Sequence, residues 1–135
     1  MKNLNKYIGI PFLDEGRTFE GCDCYGLIKL YFKHELKIEL PEVLIHPDQS
    51  ALAMMKFLNV VSEHFKRCDL PAEDYGIALK TDPIHPNMVT HFGVVVKYEG
   101  KLQMLHTFRN IESHIVELDH LCYKNKIEGF YEWQS

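Results

Sequence analysis

The chain has 135 residues, 46% of them apolar and 25% charged, with a formal net charge of −4. That length suits one domain, residues 1–135, with a real hydrophobic core, and the composition excludes a disordered or fibrous chain. The acidic balance and the lack of a basic tract exclude a nucleic-acid partner. No apolar run is long enough for a signal peptide or a membrane span, so the expectation is cytoplasmic synthesis, with other machinery needed for any export.

A short helix or turn is predicted over Leu4 to Ile8. An irregular loop follows from Gly9 through Cys22, rich in glycine and containing Pro11. The next predicted helix runs from Cys24 to Leu36. Cys24, Leu27, Ile28 and Tyr31 repeat at i, i+3, i+4 and i+7 and form one apolar face. Asp23 stands where an N-cap belongs. Leu40-Pro41 ends that unit. A connection through His46-Pro47-Asp48 leads to a second predicted helix, Ser50 to Lys66, with Leu52, Met55, Leu58 and Val61 as its stripe. From Tyr75 the pattern changes to short strands, predicted at Ile77–Lys80, His91–Lys97, Leu102–Phe108, Ser113–Leu118 and Ile127–Trp133. Helices first and an antiparallel sheet afterwards make an α+β domain.

Glu99-Gly100 reads as the turn of a hairpin between the second and third of these strands. With those two residues at the turn, His91 lies opposite Phe108 and Gly93 opposite His106. His91, Gly93, Val95, Met104, His106 and Phe108 then share one face of the ribbon. The two histidines become diagonal neighbours, with Cα atoms roughly 7–8 Å apart. Gly93, lacking a side chain, is expected to leave room for the His106 ring.

Four cysteines stand at positions 22, 24, 68 and 122. Without a secretion signal, free thiols are expected. Cys24 is singled out because a helix start offers unpaired N–H groups and the positive end of the dipole, which favour thiolate. With its helix packed across the sheet, Cys24 completes a Cys–His–His set. Its parts are a nucleophile, a base that later protonates the leaving amine, and a group orienting that base. The Cys24 backbone N–H is the natural oxyanion donor. Cys22, Cys24, His91 and His106 are also zinc-type ligands, but one residue between the cysteines is poor spacing for a zinc site. No metal or cofactor is expected. Cys22, Cys68 and Cys122 read as structural. His34, His46, His64, His85, His114 and His120 have no partner arguable from the sequence.

The stretch Tyr7-Ile8-Gly9-Ile10-Pro11-Phe12, then Gly16-Arg17, then Asp23-Cys24-Tyr25-Gly26-Leu27 resembles the signature of the NlpC/p-sixty superfamily, papain-like cysteine peptidases of the bacterial cell wall. His91-Phe92-Gly93-Val94-Val95 resembles its second block, and Leu105-His106-Thr107 its third. Tyr25, the helix exit Ile38-Glu39-Leu40-Pro41 and the closing Ile127-Glu128-Gly129-Phe130-Tyr131 are most similar to the branch encoded with bacteriophage tail genes. Only residues 47–82 are weakly matched, and that segment is expected to shape or cover the cleft.

The resemblance implies a papain-like NlpC fold and hydrolysis of peptidoglycan stem peptides, typically between D-γ-glutamate and a diamino acid. It implies Cys24 as nucleophile, His91 as general base and His106 as its orienter. Phe12, Tyr25 and Gly93 would stand near the oxyanion or the substrate, and phage tail-tip proteins are the implied partners. Phe12 departs from the family, many of whose members carry a tyrosine there whose hydroxyl assists the oxyanion. Losing one such donor can cost on the order of 10²–10³ in rate. The alternative is a tail assembly or binding component that keeps the fold without catalysis.

Overall fold

The computed structural model describes residues 2–43, 59 and 62–134. The chain opens with a 3-10 turn at Leu4–Tyr7, capped by the Asn3 side chain. Two short strands follow, β1 (Arg17–Thr18) and β2 (Gly21–Cys22), paired as a small hairpin. This hairpin lies inside the segment expected to be wholly irregular.

Helix α1 (Cys24–Tyr31) begins where the sequence placed it, with Asp23 Oδ1 accepting from the Gly26 amide at 2.7 Å. It continues as one π-helical turn, Phe32–Leu36, and stops at Lys37, whose φ of 58° is left-handed. The Ile38 amide then reaches back to the Phe32 carbonyl at 3.1 Å, closing the end.

Most of the second predicted helix, residues 50–58, 60 and 61, lies outside the described residues. Its last two residues are strand, not helix: Phe65 and Lys66 belong to β3 (Phe65–Cys68). Pairing is the reason. Phe65 sits opposite Trp133, with the rings at 5.3 Å and nearly perpendicular, so cross-strand packing overrides the helical period.

The remaining strands are β4 (Gly76–Leu79), β5 (His91–Tyr98), β6 (Lys101–Phe108), β7 (Ile111–Glu117) and β8 (Ile127–Trp133). They form one antiparallel six-stranded sheet in the order β3-β8-β4-β5-β6-β7. The β5–β6 hairpin turns on Glu99 and Gly100, both with positive φ (53° and 83°). That is the primed turn a two-residue hairpin needs. Pairing from Tyr98↔Lys101 to Val94↔Leu105 has the expected parity.

The sheet is buried on both faces. Phe92, Val94, Val96 and Leu105 pack with α1 and the N-terminal turn, through Leu27, Ile28, Tyr31, Leu4 and Tyr7. Ile77, Leu79, Val95, Met104 and Phe130 form a second cluster, with Tyr123 and Ile127 packed against it. Helix α1 therefore covers the even-numbered side chains of β5, whereas His91, Gly93 and Val95 belong to the opposite face. The expected packing of the helix across the sheet is what the core shows.

Candidate active site

Asp23 organises the start of α1. Besides capping Gly26, its Oδ2 accepts from the Glu15 amide at 3.1 Å and its Oδ1 from Arg17 Nη1 at 2.7 Å. Arg17 also donates to the Gly16 and Val43 carbonyls and to Glu42, and its guanidinium lies over the Tyr25 ring. Both side chains of the pair are largely buried, 17% exposed for Arg17 and 9% for Asp23. Burial pushes the Asp23 carboxyl up, and the Gly26 amide, Arg17 and the Glu15 amide recover only part of that shift. The effect of the pair is to fix where α1 begins. Gly26 has to be glycine, because a Cβ there would collide with the Gly16 carbonyl oxygen.

A second tether runs from the sheet. Ser113 on β7 is fully buried. Its hydroxyl accepts from the Ile10 amide at 2.8 Å and donates to the Tyr7 carbonyl at 2.6 Å. Its backbone bonds Gly9 and Ile10. The segment so held delivers Pro11 and Phe12 beside Cys22, where the Cys22 amide donates to the Pro11 carbonyl and Phe12 forms a parallel bridge with Cys22.

Cys24 is a half-buried free cysteine. Burial pushes its thiol up to about 12, and the nearby Asp23 carboxylate adds to that shift. The Phe92 and Tyr25 amides, both donating to the sulfur, and Arg17 pull the other way. Burial therefore works against the pull toward thiolate that the helix-start amides exert. The Phe92 contact has a second meaning: it puts the sulfur against the peptide that joins His91 to Phe92.

His91 Nε2 and His106 Nδ1 are 2.9 Å apart. His91 also stacks on Phe108, the residue the hairpin parity sets opposite it, with centroids at 3.8 Å and planes 15° apart. A register shift between His106 and Phe108 re-aims β6 against β7 at this point. His91 is held well below the ordinary imidazole range by burial and by its neighbours His106 and His114. His106 is lowered to about 3, by burial first and then by His114 and His120. Both rings are neutral at pH 7. With Nε2 of His91 engaged by His106, Nδ1 is the nitrogen left to take a proton.

The other expected residues are placed as follows. Gly93 makes room for Met104, not for His106: a Cβ at position 93 would lie 2.9 Å from Met104 Cγ and 3.1 Å from the Leu105 carbonyl oxygen. Tyr25 is fully buried, its hydroxyl donating to the Pro41 carbonyl, and lines an apolar cavity of about 660 Å³ with Ile28, Leu40, Val89 and Phe92. It braces the helix exit. Phe12 lines a more polar cavity of about 610 Å³ with Leu13, Asp14, Arg109 and Glu112. Arg109 lies over its ring and pairs with both Asp14 oxygens at 2.7 and 2.9 Å. Cys22 is fully buried, its thiol pushed up to about 12 by burial. Among the described residues, no group of three or more His, Cys, Asp or Glu side chains could hold a metal ion. No described helix is long and apolar enough to cross a membrane.

No family model matches the sequence, and no curated protein matches it either. A solved structure does. The chain is similar to a protein from Staphylococcus aureus subsp. aureus Mu50, described as similar to a lipoprotein of the NLP/p-sixty family, with a TM-score of 0.63 and 17% sequence identity. The match covers 96% of this chain and 38% of the staphylococcal one. The chain has an NlpC/p-sixty-type fold. At that identity the likeness speaks for the fold alone.

Sequence reasoning missed Arg17 as the anchor of the helix start, Ser113, and the rings around His106. His114, set aside as partnerless, faces His106 across β6 and β7 with centroids at 4.5 Å. Hairpin parity alone would have put Ser113 opposite His106; the register shift between His106 and Phe108 brings His114 there instead.

Proposed function

We propose that the chain is a cysteine peptidase or amidase that hydrolyses peptidoglycan stem peptides at the D-γ-glutamyl–diamino acid bond. The observation that carries this reading is the 2.9 Å contact between His91 Nε2 and His106 Nδ1, at the strand end whose next amide donates to the Cys24 thiol. In this reading the resting pair is a neutral thiol and a neutral imidazole. As Cys24 Sγ attacks the amide carbonyl carbon, its proton passes to His91 Nδ1, and the oxyanion is met by the Cys24 N–H. His91 then returns that proton to the leaving nitrogen as the C–N bond breaks, leaving a thioester. Water, deprotonated by His91, cleaves the thioester and releases the acid and the free thiol. His106 orients the base throughout. The polar cavity lined by Phe12, Asp14, Arg109 and Glu112 is the proposed substrate groove.

The sequence features shared with the tail-encoded branch support a role at a phage tail tip, where local opening of the wall accompanies DNA entry. Two observations favour the other reading, a binding component without catalysis: Phe12 offers no hydroxyl, and the thiol is pushed up to about 12. One experiment separates them. Purified peptidoglycan incubated with the protein should release new amino termini and muropeptide fragments seen by mass spectrometry, and Cys24→Ala should release none. No release by the unaltered protein, or equal release by Cys24→Ala, would overturn the peptidase reading.

A further inference from the structure

The relay leaves one atom unexplained. His106 is fully buried, and its Nε2 has no hydrogen-bond partner among the described residues. For His91 to accept the thiol proton at Nδ1, its own proton must sit on Nε2 and point at His106 Nδ1. His106 Nδ1 is then the acceptor, and the His106 proton must sit on Nε2, the orphaned atom. The opposite pairing, with His106 Nδ1 as donor, protonates His91 on Nδ1 and disables it as a base. The two arrangements differ at His106 Nε2 as well as at His91 Nδ1, so what surrounds His106 contributes to the balance between them.

What surrounds it is aromatic. His91, Phe108 and Tyr123 are near-parallel, with planes 15° and 16° apart in successive pairs. His106 stands across them, at 81° to Phe108 and 84° to Tyr123, with centroids at 5.3 and 4.9 Å. A ring face carries negative charge density; it attracts an N–H edge and repels a nitrogen lone pair. His114 is the other close ring, but it is tilted 58° and its Nδ1 is committed to the Glu112 carbonyl oxygen at 2.9 Å.

We propose that Tyr123, from the turn between β7 and β8, is a positioning residue whose ring face holds the His106 proton on Nε2 and thereby keeps His91 Nδ1 free to act as base. The role rests on the peptidase reading above, but the tautomer itself does not. Both imidazoles are neutral at pH 7, so each exists as one tautomer or the other.

The test is long-range proton–nitrogen correlation on the ¹⁵N-labelled full chain at pH 7, which identifies the protonated nitrogen of each ring. His106 is expected to be protonated on Nε2 in the unaltered protein and in Tyr123→Phe, which keeps the ring face. Tyr123→Leu is expected to give a mixture, with kcat on peptidoglycan falling about two- to five-fold and KM unchanged, the size of one weak N–H to ring contact. A His106 proton found on Nδ1 in the unaltered protein overturns the proposal without any variant having to fold. So does a folded Tyr123→Leu with the tautomer unmoved. If the tautomers shift as expected while the unaltered protein releases nothing from peptidoglycan, Tyr123's hold on the tautomer is upheld and the peptidase reading fails.

Discussion

Replacing Arg17 by Met tests the claim that a buried ion pair fixes the start of α1. The change leaves the Asp23 carboxylate, 9% exposed, without its counter-charge, and also strips donors from the Gly16 and Val43 carbonyls. Breaking one side of a buried pair costs about 3–5 kcal/mol. For a domain of this size a urea m-value near ~2 kcal/mol/M turns that into a midpoint lowered by about 1.5–2.5 M. The double variant Arg17→Met/Asp23→Asn should recover most of the loss, since Asn keeps an oxygen for the Gly26 amide and removes the stranded charge. The sign of the pH dependence follows. The Asp23 carboxyl is already raised with Arg17 present, and losing Arg17 raises it further. Its protonated form is then the one compatible with folding, so the penalty is largest at pH 7 and shrinks as pH falls through that raised value. Urea titrations of the four members of the cycle, at pH 7 and again under mild acid, measure all of this. A single variant within about 1 kcal/mol of the unaltered protein at pH 7, or a double variant no better than the single, would refute the reasoning.

Two further outcomes follow. The neutral thiol–imidazole pair gives kcat/KM an acid limb below the usual imidazole range, set by His91, and a plateau that runs beyond about pH 9. A decline already under way near pH 8.5 would show a preformed thiolate–imidazolium pair instead. Gly93→Ala forces a Cβ against Met104 and should cost about 1–3 kcal/mol in thermal or urea unfolding. Added to Met104→Ala it should cost less, and equal costs in the two backgrounds would show that Met104 is not what meets the new methyl group.

The histidine pair was legible in the sequence because a hairpin's parity is local. Glu99-Gly100 can adopt the left-handed turn, and everything from Tyr98 back toward His91 follows by alternation. The cap at Asp23 was legible for the same reason. Strand β3 was not, since Phe65 is a strand residue only because Trp133 lies opposite. Nor was Ser113, whose partners Tyr7 and Ile10 are about a hundred residues away along the chain.

Two expectations at the site that burial works against, a thiolate favoured by the helix start and Gly93 as a berth for His106, share a cause. Each took a local rule to its end without knowing what the neighbouring side of the sheet held. Helix-start amides do favour thiolate, and two amides do donate to Cys24, but the same packing that brings Phe92's amide to the sulfur also removes water from it. Alternation does place Gly93 beside His106's strand, but the space beside Gly93 goes to Met104. Burial decides both. A site assembled where two buried faces of a sheet come to an end will hold its acid and base neutral, and its power to move a proton then depends on tautomer and orientation more than on charge. That places the burden on Arg17 and Asp23 for the sulfur and on the ring stack for the imidazoles. It also predicts that variants in those supports lower kcat more than they change substrate affinity.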